Sequence, residues 1–387
     1  MIYIFMRNSF FLVLLFLTIS CKRKTQEGFG GIDIEGDDVL NKTGSFSLHL
    51  DEFASYEIFS HQVVPERKKE KLYVLNKQNR SLDIYDLELG QLEKRIEIPS
   101  EGPGGITNPY GFFVHNRDSI FVFVQGTFKN TQLLNAQGEL TRTFTPENIG
   151  DFRFGLINHA SVPSTPSYYM AGKIYFGEYG LYSSNDPENF NRSVKMAGEY
   201  DLLSGKVEMY RGFGFPASYL GRAWNEYHSV YSRVLNKDRE WAVSWSGLDS
   251  ILVYDSDYRL VESRVAKSNY LSSFSPPKKG ETLRIAIEEG GYIRLLYSPY
   301  LNCYYRIVRH GREFDAKYDR DVNAFDRSDF SIIKLDSSLN VISETKFHGG
   351  VYNLFCVFVS NRGLCLPRNS YWNPDLKEEL LKIDVFH

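Results

Sequence analysis

Ile84-Tyr85-Asp86 is followed by the turn Glu88-Leu89-Gly90, and this short pattern organises the rest of the chain. An apolar pair, a polar residue, a tight turn and a second alternating stretch describe two strands joined by a hairpin. The pattern returns as Leu133-Leu134-Asn135, Glu199-Tyr200-Asp201, Val253-Tyr254-Asp255, Lys334-Leu335-Asp336 and Lys382-Ile383-Asp384. The intervals are 49, 66, 54, 81 and 48 residues. The shorter ones suit a four-stranded propeller blade of about 40–50 residues.

Working outward, an earlier strand rich in β-branched or aromatic residues precedes each mark. These are Lys71–Asn76, Ser119–Val124, Lys173–Phe176, Glu240–Trp245, Cys303–Val308 and Gly363–Leu366. A further strand precedes each of those, for example Gly111–His115 and Val351–Ser360. Six such units predict an all-β fold, a six-bladed β-propeller over residues 45–387. The last unit stops at His387 after its third strand. The alternating stretch Ser45–Leu50 can supply the missing outer strand and close the ring. The alternative is two β-sandwiches. Helix is nearly absent, apart from a turn or two over Asp375–Leu381.

The composition agrees. The 387 residues include 26 Tyr and 28 Phe, and aromatics make up 15% of the chain, which favours strands. A net charge of −3 with no long basic block argues against nucleic acid as a partner.

The N-terminus predicts export. Arg7 precedes the apolar run Phe10–Ile19. Ten helical residues rise only about 15 Å, against a bilayer core of about 30 Å, so residues 1–20 read as a signal peptide. Met6-Arg7 reads as a more ordinary start than Met1. The run ends in Leu17-Thr18-Ile19-Ser20-Cys21, which is similar to a bacterial lipobox and makes Cys21 the expected lipidation site. Thr18 departs from the usual Leu, and cleavage without lipidation is the alternative. Residues 21–44 are polar and Gly-rich and read as a tether. Cys303, Cys356 and Cys365 remain. Their spacing fits no metal motif, and buried thiols are expected, with one disulfide at most.

The lipobox-like Cys21, the repeat and Glu101-Gly102-Pro103-Gly104-Gly105 together resemble six-bladed propeller lipoproteins of the Bacteroidetes. Among these is a family described only as a domain of unknown function. The resemblance implies the fold and an envelope location, with no site residues to carry over. Acidic residues after Cys mark surface export in such lipoproteins. Lys22-Arg23-Lys24 stand here instead, which favours a periplasm-facing outer-membrane position.

Loop lengths point to one face. In a propeller the 4→1 and 2→3 connections emerge together around the channel mouth. The long connections, about 100–110, 145–158, 178–192, 211–228, 267–290, 310–329 and 368–379, are all of these two kinds. Long loops in compact domains tend to carry function. The candidate binding residues on them are Tyr110, Arg153, Tyr182, Arg192, Trp224, His228, His310, Arg312, Tyr371 and Trp372. Aromatic rings give contact area at low entropic cost, and Arg gives forked donors.

No catalytic motif emerges. Asp319-Arg-Asp321-Val-Asn323 opens like a calcium loop, but Ala324 replaces the required Gly and Phe330 the bidentate Glu, so it reads as a solvated acidic loop. No nucleophile elbow occurs, and the eight His show no metal spacing. Gly102-Pro103-Gly104-Gly105 reads as a tight turn rather than a phosphate loop. No cofactor, metal or catalytic residue is expected. The leading expectation is a non-catalytic binding or scaffold propeller contacting a protein, peptide or glycan. The alternatives are an envelope hydrolase or lyase, with clustered acids in a funnel, and a structural lipoprotein, with a broad apolar docking patch.

Overall fold

The computed structural model describes residues 39–387 apart from 59, 67–68, 103–104, 125–126, 149–158, 179–185, 192–193 and 279, together with the short strand Ile32–Asp33. Cys21, Arg153, Tyr182 and Arg192 lie outside the described residues. The chain forms six antiparallel sheets arranged as a six-bladed β-propeller. Blade 1 spans Ser60–Glu97, blade 2 Pro109–Phe144, blade 3 His159–Met209, blade 4 Tyr231–Val265, blade 5 Gly290–Phe347 and blade 6 Phe358–Phe386.

Blade 6 takes its outer strand from the other end of the chain. Lys42–His49 pairs antiparallel with Leu380–Phe386, with Phe46 opposite Ile383. The expected closure is therefore the observed one. The strand begins at Lys42, inside the stretch read as a tether. Ile32–Asp33 also pairs, against the outer edge of blade 5. Both additions satisfy edge groups that would otherwise be unpaired.

The recurring Asp or Asn has a local cause. In each of the first five blades it accepts backbone N–H groups from the 3→4 turn. Asp86 accepts from Glu88 and Leu89, Asn135 from Gln137 and Glu139, and Asp201 from Leu203 and Ser204. Asp255 and Asp336 do the same. A short carboxylate or amide mimics a turn of backbone, which stabilises the hairpin. Blade 6 has no such turn, because its outer strand, Lys42–His49, comes from far earlier in the sequence and is not joined to Leu380–Phe386 by a hairpin. Its Asp384 is buried and instead accepts from Tyr352 and pairs with Lys42 at 2.7 Å.

The blades pack face to face through apolar clusters, each shared by two neighbours. Alternation along one strand explains how. In blade 1, Leu72 and Val74 face blade 6, where Leu48 and Ile383 lie, while Tyr73 and Leu75 face Phe112 and Val122 of blade 2. Strands buried on both faces read as continuous apolar runs. At the joint between blades 4 and 5, Arg306 replaces part of the apolar contact. Its guanidinium lies 3.3 Å from the ring centre of Tyr292 and donates to Ser244 Oγ and the carbonyls of Leu248, Asp249 and Ala266.

Three local expectations differ from the structure. Asp375–Leu381 forms turns and then enters the last strand, because its apolar residues are claimed by the pairing with Lys42–His49. The inner strand of blade 6 covers only Phe358–Ser360, since Asn353 and Ser370 hold the preceding residues in turns. One α-helix, Thr282–Glu289, occupies the connection between blades 4 and 5. Its Ala286 and Ile287 pack on Ala324 and Phe325, so tertiary burial rather than periodicity specifies it.

Candidate functional site

The 4→1 and 2→3 connections converge on a cavity of about 610 Å³ at the channel mouth. Residues 55–58, Tyr227, Val230 and Phe355 reach it from 4→1 connections. Lys77, Val322, Asn323, Phe325, Asp326 and Tyr371 reach it from 2→3 connections. Much of the wall is aromatic: Tyr56, Tyr227, Tyr231, Tyr292, Phe325, Phe355 and Tyr371.

Two arginines and one aspartate add charge. Arg294 and Arg309 sit on the two inner strands of blade 5, and both are buried. A register shift between Tyr292 and Arg294 marks a bulge in the inner strand. The bulge breaks the two-residue alternation, so Ile293 and Arg294 both line the cavity. Arg294 donates from Nη1 to the carbonyls of Phe355 and Val357. Arg309 donates from Nη2 to those of Ala286 and Gly290, and its guanidinium lies 4.0 Å from the ring centre of Phe325. Gly290 permits this close approach: its φ is 78°, and a Cβ there would fall 2.3 Å from the Arg309 carbonyl.

Asp326 closes the charged part of the wall. Its carboxylate accepts from Leu354 N at 3.2 Å. Burial pushes its pKa up to about 7, against the lowering effects of the Leu354 N–H, the Ser370 hydroxyl and Arg309. Burial also lowers Arg294 to about 10 and Arg309 to about 9. Both arginines therefore remain cationic at neutral pH while Asp326 is only partly ionised, and this group carries net positive charge. Behind it, burial and the charge of Arg294 hold His61 well below its ordinary value.

The ten candidate residues fall in different places. Tyr371 is exposed and lines the cavity. Trp372 stands edge-on to it at 5.4 Å and donates Nε1 to the Asn323 carbonyl. Tyr110 is not among the lining residues; Lys77, which is, places its Nζ 4.8 Å from the Tyr110 ring centre. The others pack the loops onto the blades. Trp224 stacks on Tyr219 at 3.8 Å and is buried. His228 bonds the Gly290 carbonyl, and burial lowers its pKa to about 4. His310 stacks on Tyr270 at 4.2 Å and is also lowered to about 4 by burial. Arg312 is spent on Asp319, which also binds Arg327. The loop read as solvated thus hides an ion-pair hub: Asp319 is buried, and Arg312 holds its pKa near 2 against desolvation.

Arg294 and Arg309 are the site residues missed by reading loops alone. Their signal was a cation inside an apolar strand, Ile293-Arg294-Leu295 and Val308-Arg309. Among the described residues, no group of three or more His, Cys, Asp or Glu stands together in a way that could hold a metal ion.

With this geometry established, comparison places the chain among known proteins. Residues 51–346 match the family described as "Domain of unknown function (DUF4221)". A crystal structure of a member of that family from Bacteroides vulgatus is similar, with a TM-score of 0.79 and 25% identity, covering 90% of this chain and 98% of that one. A protein of Bacteroides fragilis described as a candidate exported protein shares the fold, with a TM-score of 0.52 and 12% identity over 92% of this chain and 97% of that one. No curated protein matches the chain in sequence.

Proposed function

The chain belongs to the DUF4221 family, and from the make-up of its site we propose that it is a non-catalytic binding propeller held at the cell envelope. The observation that carries this reading is the cavity at the channel mouth. It combines an aromatic wall with a small set of fixed polar groups, which is the usual make-up of a small-molecule site. A cavity of about 610 Å³ suits a small ligand or the end of a larger one, such as a glycan or peptide terminus, better than a flat protein partner.

The signal-like run before Cys21 supports export, and the lipobox-like sequence supports anchoring. The similar protein of B. fragilis, described as a candidate exported protein, is in keeping with that location. A periplasm-facing outer-membrane position remains the preferred one, because Lys22-Arg23-Lys24 follow the Cys.

Native mass spectrometry of the full-length protein, extracted from its own envelope, tests the reading. The wild type should retain a small molecule, and Val230→Trp, which places an indole at the cavity wall, should lose it while staying folded. Equal retention by both proteins, or a stoichiometric protein partner bound equally by both, would overturn it.

A further inference from the structure

We propose that the cavity selects an anionic amphiphile, whose carboxylate or sulfonate head is held at Arg294, with the sealed cation Arg309 adding charge behind the wall, and whose flat apolar body lies against the aromatic residues. The inference rests on the binding reading above and adds the chemical class of the ligand.

Arginine is used differently elsewhere in the same sheet. Arg306 is buried and spends its whole fork: Nε, Nη1 and Nη2 all donate to protein acceptors. Arg294 and Arg309 are comparably buried, at 5% and 1% exposure, but their forks are not filled. Nε of Arg294 and both Nε and Nη1 of Arg309 find no hydrogen-bond partner among the described residues. A buried cation with idle donors is costly, because each such donor gives up hydration without gaining a partner. Among the described arginines, Arg233 and Arg312 also leave Nε idle away from the cavity, but Arg309 leaves two donors idle, and it and Arg294 stand in the cavity wall, where the exception calls for an explanation.

The local charge sets the sign of the ligand. Two cations face one buried carboxyl, Asp326, whose ionised form burial disfavours. A single negative charge brings this group close to neutrality. A guanidinium fork matches the paired oxygens of a carboxylate or sulfonate. The rings set the ligand's body. Phe325 already carries Arg309 on its face, so a flat apolar group beside it extends an existing stack.

A matched pair of fluorescent probes separates the two parts of the claim. 1-Anilinonaphthalene-8-sulfonate carries an anionic head, and N-phenyl-1-naphthylamine has the same ring system without it. Each is titrated into the folded full-length protein. The sulfonate should bind about tenfold or more tightly than the neutral probe, the gain expected of a charge-assisted contact. Arg294→Met should remove most of that advantage and leave the neutral probe unchanged, with Arg309→Met as the second variant. The comparison of probes on the wild type needs no variant to fold. Equal affinity of the two probes, displaced alike by Val230→Trp, would overturn the anion assignment and leave the binding cavity standing. Binding of both probes unaffected by Val230→Trp would overturn the cavity reading itself.

Discussion

Leu48 pairs across from Leu381, so a residue near the start of the chain and one near its end share a single strand register. Both are fully buried in the cluster between blades 6 and 1. The ring is thus closed by a pairing between residues more than 300 positions apart in sequence.

Leu48→Ala should therefore cost about 2–5 kcal/mol, the range for a large-to-small change in a packed core. Urea denaturation of the purified protein checks this. The exposed neighbour His49→Ala, on the opposite side of the same strand, should change stability by less than about 0.5 kcal/mol. Comparable losses at both positions would show that the strand does not close the ring as described.

Arg306 is a second joint, between blades 4 and 5. Arg306→Met keeps the length of the side chain but leaves several carbonyls without a donor, and should destabilise by roughly 3 kcal/mol or more. Arg306→Lys should recover only part of the loss, because an ammonium cannot fork to Ser244 and three carbonyls while lying on Tyr292. Thermal unfolding of the two variants decides between packing and hydrogen bonding as the source.

Asp326 predicts a pH dependence. Its pKa is about 7 in the folded chain against 3.8 unfolded. A group raised in the folded state contributes stability that is complete below the unfolded value and lost as pH rises through the folded one. The wild type should lose stability between about pH 4 and pH 7 from this group. Asp326→Asn stays neutral and keeps an oxygen for Leu354 N, so it should unfold at a higher temperature at pH 8. The gain should be on the order of a few kcal/mol, fading towards pH 4. The same gain at both pH values would refute the assignment.

Cys303, Cys356 and Cys365 are free and buried. Burial pushes the Cys356 and Cys365 thiols up to about 12 and raises Cys303 as well. Because the thiolate is the reactive form, none of the three should be alkylated by iodoacetamide at pH 7.5 in the folded protein. All three should react after unfolding, as read by peptide mass spectrometry.

Cys21→Ser tests the proposed anchor. The variant should move from the membrane fraction to the soluble exported fraction, with the propeller's unfolding transition unchanged. Retention in the membrane fraction would rule out lipidation at Cys21 as the means of attachment.

The fold was largely legible because its signals are local. Asp86, Asn135, Asp201, Asp255 and Asp336 each satisfy turn backbone within a few residues, so the repeat survives without sequence identity between blades. The closing strand was legible for a different reason: blade 6 lacked a fourth strand and the alternation of Ser45–Leu50 offered one. The site was less legible. Loop length located the mouth, since Tyr371, Val322, Asn323, Phe325, Asp326 and the stretch 55–58 do meet there. It did not identify the charged groups, because Arg294 and Arg309 belong to strands and become neighbours of Asp326 only through the ring. Helix Thr282–Glu289 was hidden for the same reason. Its apolar residues answer to Phe325, not to a helical pattern long enough to see.

The pairing of Ile32–Asp33 with blade 5 has a geometric sequel. Ile32 stands opposite Phe347 and Asp33 opposite Lys346 in antiparallel register. Phe347 ends the outer strand of that blade, and the connection after it carries Phe355 into the cavity wall. Ile32 therefore stands at the mouth-side end of that edge strand. Cys21 lies eleven positions earlier, a reach of at most about 40 Å when fully extended. With Cys21 lipidated as proposed, the mouth-side end of blade 5 would be held within about 40 Å of the bilayer. The propeller's encounters would then be set by what partitions at that lipid surface, a two-dimensional supply, more than by what is dissolved in the surrounding volume.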